Sequence, residues 1–83
     1  MHEIKNIEDL KFSLFAPIDE EYPIVEVLYK NQILLDLSID TKDTNNPPSI
    51  NVLVHHGSNG ILYNFEIFEK ILAKAKEKLI NAL

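Results

Sequence analysis

The chain contains no cysteine, no tryptophan and no arginine, and only two glycines among its 83 residues. Without cysteine there is no disulfide to staple the fold, no thiolate nucleophile and no thiolate metal ligand, which fits a reducing compartment. Without arginine the chain lacks the side chain that grips phosphate and guanine bidentately. All eight of its cations are lysines, and Lys70, Lys74, Lys76 and Lys78 fall in one short stretch near the C-terminus. A nucleic-acid binder carries a basic patch or stripe, so direct nucleic-acid binding is not expected. No run approaches the ~18 apolar residues of a membrane span. The first residues, Met1-His2-Glu3-Ile4-Lys5, lack the basic-then-apolar order of a secretory signal. A cytoplasmic protein with no membrane partner is the expectation.

Acid is what the chain has in excess. Thirteen acidic residues against eight lysines leave a net charge of −5. The excess lies wholly in residues 1–63, which hold ten acids and four lysines, whereas residues 64–83 hold three acids and four lysines. Complementary charge steers association, so a basic protein is the expected kind of partner. The length allows one domain, 1–83, with a thin core.

The clearest element is the last. Phe65, Phe68, Ile71, Leu72, Ala75, Leu79 and Ala82 recur at helical spacing from Phe65 to Ala82. Lys70, Lys74, Glu77, Lys78 and Asn81 fill the other side. Asn64 stands where a side-chain oxygen can accept from a free backbone N–H and cap the helix.

Tyr22–Tyr29 and Ile33–Asp40 are rich in β-branched and other apolar residues and read as strands joined by Lys30-Asn31-Gln32. A three-residue loop sets Tyr29 against Ile33, Val27 against Leu35 and Val25 against Leu37, all apolar on one side. A two-residue loop at Lys30-Asn31 sets Glu26 against Leu35 and Val25 against Asp36, so the pattern selects three. Thr41–Ser49 reads as a loop and Ile50–His55 as a third strand, with Ile50, Val52 and Val54 on one face. Gly57-Ser58-Asn59-Gly60 reads as a tight hairpin turn, after which Ile61–Tyr63 pairs back as a short fourth strand. The predicted fold is α+β: an antiparallel β-meander of three to four strands covered on one face by the C-terminal helix. Residues 4–18 fit a helix through Ile4, Ile7, Leu10 and Leu14, or a strand through Leu10, Phe12 and Leu14. The helix is the preferred reading.

No constellation supports catalysis, so no enzyme is expected. His55 and His56, adjacent on a strand, point to opposite faces and cannot easily share an ion, and metal sites need three or four convergent ligands. No metal or cofactor is therefore expected. The glycine pair lacks the GK[ST] ending of a phosphate loop, and Ser58 lacks the strand–turn–helix context of a nucleophile elbow. Paired carboxylates occur without a supporting shell for acid–base work. The helix lysines read as a solvated face that also suits the C-terminal end of the helix dipole.

The second face of the sheet is the candidate site. The three-residue register gathers Ile24, Glu26, Leu28, Leu34, Asp36, Ser38 and Asp40 there, with Asn51, Leu53 and His55 from the third strand. Glu26 stands directly opposite Asp36, a like-charge pair that costs ~0.2–1 kcal/mol. Leu28, Leu34 and Leu53 supply an apolar centre beside the acids, the anatomy of a specific interface. Asp19, Glu20 and Glu21 extend the negative field from the preceding loop. In the competing arrangement residues 4–18 fold over this face and bury its leucines.

Two stretches carry a family likeness: PIVEVLYKNQILLDLSID, starting at Pro23, and INVLVHHGSNGILYNFEIFEKILAKAKEKL, starting at Ile50. With their "PIVEV" strand, the short turn, the second strand ending in an acid and the final "F–KIL–KAKEKL" helix, they resemble small immunity proteins of contact-dependent growth inhibition and related polymorphic toxin systems. The resemblance spans about two-thirds of the chain. It implies a bacterial cytoplasmic protein that binds and neutralises a cognate toxin domain, often a basic nuclease. It carries over no individual functional residue. The partner-binding set Glu26, Asp36, Asp40, Leu28, Leu34, Asp19, Glu20 and Glu21 rests on strand register alone. The alternative is a homo-oligomeric structural or adaptor domain, a homodimer through the bare face that buries Leu28 and Leu34.

Overall fold

A computed structural model describes residues 2–42 and 49–83. The strands are β1 (His2–Ile4), β2 (Lys11–Phe15), β3 (Ile24–Tyr29), β4 (Gln32–Ile39), β5 (Ile50–Val54) and β6 (Ile61–Tyr63), and one helix, α1 (Phe65–Asn81), follows them. Strands β2-β3-β4-β5 form an antiparallel sheet in sequence order, and α1 covers one of its faces. The meander and its covering helix are as predicted. Residues 43–48 of the predicted loop lie outside the described residues.

The β3–β4 hairpin reaches the predicted core register by a different route. Lys30 and Asn31 both take positive φ, 50° and 66°, the signature of a two-residue primed turn whose twist matches that of the strands. Tyr29 then pairs with Gln32 and Leu28 with Ile33, not Tyr29 with Ile33. The ladder shifts between Val27 and Leu28, so that Val27 pairs with Leu35, Glu26 with Asp36 and Val25 with Leu37. Leu34 is the additional residue of this β-bulge. A bulge sets two residues of one strand against one of the other, and here Leu34 and Leu35 are both buried. The two-residue turn satisfies local backbone geometry, and the bulge restores the hydrophobic register. Leu34 is therefore a core residue, which corrects its expected place on the second face.

Residues 4–18 do not form the preferred helix. Ile7–Asp9 makes one 3-10 turn, and Lys11–Phe15 joins the sheet beside β3, with Phe12 paired to Val27 and Leu14 to Val25. Alternation turns Phe12 and Leu14 towards α1, and Lys11, Ser13 and Phe15 to the other face. The strand wins because it gives the edge of β3 a backbone partner and still delivers Leu10 to the core.

The segment after β5 also departs from expectation. His56–Ser58 forms a 3-10 turn against β4. The Ser58 hydroxyl lies 2.8 Å from the Leu34 carbonyl, to which it donates, and 2.8 Å from the Tyr63 hydroxyl. Gly57 lies so close to β4 that a Cβ there would meet the Ile33 carbonyl oxygen at 2.2 Å. This docking carries the chain past the end of β4. Strand β6 consequently pairs in parallel with β1, with Glu3 opposite Leu62, and does not pair with β5. The fourth strand of the meander is β2, and β5 is left as an edge.

Helix α1 starts as predicted. The Asn64 side chain accepts the Ile67 N–H at 3.2 Å. Ile71, Ala75 and Leu79, spaced one turn apart, are fully buried against Val25, Val27, Leu35 and Leu37. Each buried Ile or Leu contributes about 1.5–3 kcal/mol relative to exposure. Ile4 of β1 completes the core. No helix among the described residues is long and apolar enough to cross a membrane.

Candidate functional site

The face of the sheet turned away from α1 is built in cross-strand rows. The central row runs Ser13, Glu26, Asp36, Leu53 from β2 to β5. One flanking row is Phe15, Ile24, Ser38, Asn51, and the other is Lys11, Leu28, Ile33. The competing arrangement, in which residues 4–18 cover this face, does not occur. Those residues extend the face sideways as β2.

Two carboxylates occupy its centre. Glu26 and Asp36 are directly opposed across the β3–β4 ladder, and both are half-buried. Asp36 has a partner: its Oδ2 lies 2.7 Å from Nε2 of His55, which follows β5. The imidazole reaches Asp36 because His55 continues the β5 alternation and its backbone N–H donates to the Leu34 carbonyl at 2.9 Å. His56, its neighbour, is exposed. Among the described residues no three His, Asp or Glu side chains converge as metal ligands.

Apolar side chains surround the acids. Leu53 and Phe15 are 58% and 51% exposed, and Leu28 is half-buried beside Glu26. Lone surface hydrophobes are ordinary, but here Leu53, Phe15 and Leu28 share one face with the two carboxylates.

The other nominated residues distribute unevenly. Asp40 follows β4, and its side chain accepts the Lys42 N–H at 3.0 Å, an exposed turn contact at the end of the sheet. Asp19, Glu20 and Glu21 are exposed in the β2–β3 connection, and Glu20 shares a small cleft with Ile24, Ser38 and Thr41. Leu34 is 1% exposed and contributes nothing to the surface. Ser13 and Phe15 join this face only because residues 11–15 form a strand and not the expected helix. The alternation of Lys11, Ser13 and Phe15 with Phe12 and Leu14 was the signal for them.

Beside α1, a groove between the helix and β2 is lined by Phe12, Lys70, Lys74, Lys78 and Glu77. The Lys74 ammonium sits 4.8 Å from the centre of the Phe12 ring, a cation–π contact that holds this flank together. No family model, curated protein or solved structure matches this chain.

Proposed function

We propose that this domain is a binding protein without catalytic activity, and that it neutralises a cognate bacterial toxin domain in the cytoplasm by docking on it through the sheet face opposite α1. The observation that carries the reading is the opposition of Glu26 and Asp36 at the centre of a face whose surrounding side chains are largely apolar. Two carboxylates set across a ladder repel in the folded monomer, and the His55 imidazole meets only the Asp36 side of the pair. A cationic partner converts that cost into affinity and attracts the complex electrostatically. Toxin domains that act on nucleic acid are basic for that purpose, which suits an acidic inhibitor. The likeness to immunity proteins supplies the biological class, and Leu28, Leu53 and Phe15 supply apolar contact area.

Co-expression with the product of the gene immediately upstream, where the reading expects the toxin, tests it. Protection of the host cell and co-purification of the two chains are expected. Failure of both rejects the toxin partner. Asp36→Lys should lower affinity while leaving the circular dichroism spectrum unchanged. Unchanged affinity would place the interface elsewhere on the domain.

A further inference from the structure

We infer that the free edge of β5 is a self-pairing surface through which two copies of this chain join into one continuous eight-stranded sheet. The edge exists because β6 is diverted to β1, so no described strand pairs with the second side of β5. Its sequence, Ile50-Asn51-Val52-Leu53-Val54, contains no charge, no proline and no glycine. Proteins ordinarily blunt a sheet edge with charge, proline or a bulge, and none is present here.

The hydrogen bonding of β5 selects which backbone groups face outward. Ser49 accepts from the Asp40 N–H and His55 donates to the Leu34 carbonyl. In an antiparallel ladder bonded and non-bonded pairs alternate. Residues 49, 51, 53 and 55 are thus committed to β4, and Ile50, Val52 and Val54 present their N–H and C=O groups to solvent. An antiparallel partner centred on Val52 pairs Val52 with Val52 and Ile50 with Val54, and each such pair exchanges two N–H···O bonds. The outward-facing groups of one copy are the ones the other copy requires. Side chains agree with the backbone: in that register Ile50, Val52 and Val54 form an unbroken apolar stripe on the helix side. Val52 and Val54 are 47% and 61% exposed in the single chain. Ile50 and Val52 of the stripe line a groove of about 370 Å³ whose wall includes Leu72, Lys76 and Ile80 of α1.

The opposite edge does not compete. Strand β2 carries Lys11, and the groove beside it carries Lys70, Lys74 and Lys78, so two β2 edges repel. A two-fold β5 contact closes on itself, whereas a β2-to-β5 contact would propagate as a fibre. The two-fold axis stands perpendicular to the sheet. Both helices therefore lie on one side, and both Glu26–Asp36 faces lie side by side on the other.

Sedimentation equilibrium of the full chain from ~1 to ~500 µM tests the inference, a range that brackets the micromolar affinity expected of a contact smaller than a standard interface. A monomer–dimer equilibrium is expected. Val52→Lys, which sets two ammonium groups across the axis, should weaken it at least ~10-fold. Val52→Pro removes only an outward N–H and should do the same in a folded chain. Leu14→Lys on the opposite edge should leave it unchanged. Amide exchange of the unaltered protein provides a readout that no variant's folding can confound. The Ile50, Val52 and Val54 amides should gain protection as concentration rises. A chain monomeric at ~500 µM overturns the inference. So does a dimer in which those amides gain no protection, or one that both Val52 variants leave intact. None of these outcomes bears on toxin binding, which uses the other face.

Discussion

Glu26 and Asp36 stand directly opposite each other on adjacent strands, and among the described residues only Asp36 has a side-chain partner, the His55 imidazole at 2.7 Å. The pair separates stability from binding. Glu26→Lys replaces a like-charge pair with an opposite one and should raise stability by about 0.2–1 kcal/mol, up to several degrees in Tm. The same change should reduce affinity for a basic partner, because it inverts charge at the centre of the proposed interface. Thermal unfolding and calorimetric titration report the two effects independently. A fall in both would mean that Glu26 supports the fold.

The bulge makes the two leucines of the hairpin unequal. Leu34→Ala should cost about 2–5 kcal/mol, the range for a fully buried leucine. Leu28→Ala, on the half-buried outer face, should cost about 1 kcal/mol or less and act mainly on partner affinity. Denaturant unfolding of both variants checks the contrast. Equal losses would contradict the placement of Leu34 in the core.

The two glycines are needed for different reasons. Gly57→Ala places a methyl 2.2 Å from the Ile33 carbonyl oxygen, and backbone on both sides must move. A loss of about 1–3 kcal/mol or more is expected, as for overpacking. Gly60 has φ +75° with open space where a Cβ would go. Gly60→Ala should cost only the left-handed conformation, about 1–2 kcal/mol. Gly57→Ala should also expose the β4 amides near the 3-10 turn to hydrogen exchange, and Gly60→Ala should not.

Asn64→Ala removes the acceptor for the Ile67 N–H. A loss of about 1 kcal/mol is expected. Asn64→Ser or Asn64→Asp should recover most of it, which distinguishes capping from any other role of the side chain.

The helix and its cap were legible in the chain because their signals are local. A 3.6-residue apolar period and an asparagine before it act within a few residues, and no distant element competes for them. The strand content of residues 22–40 and the pairing of Val25, Val27 and Glu26 were legible for a similar reason: a one-residue slip would turn every core side chain outward. The turn was not. Lys30-Asn31 adopts a two-residue conformation that a regular ladder would punish, and the remedy lies several residues away in the bulge at Leu34. Pattern alone sees the sum of turn and bulge and cannot divide it.

Sequence alone determined that this is one acidic α+β meander without cysteine chemistry and with a capped C-terminal helix, since composition and short-range periodicity carry that information. Tertiary structure decided what its surfaces are. An ambiguous segment became β2 because β3 had an open edge. The stretch Ile61–Tyr63 went to β1 because Gly57 and Ser58 dock on β4 and steer the chain away from β5. Those two long-range pairings leave no described strand or helix over the face of Glu26 and Asp36 and no described strand on the second side of β5. Edges compete for partners across the whole molecule, and no local pattern records which one wins.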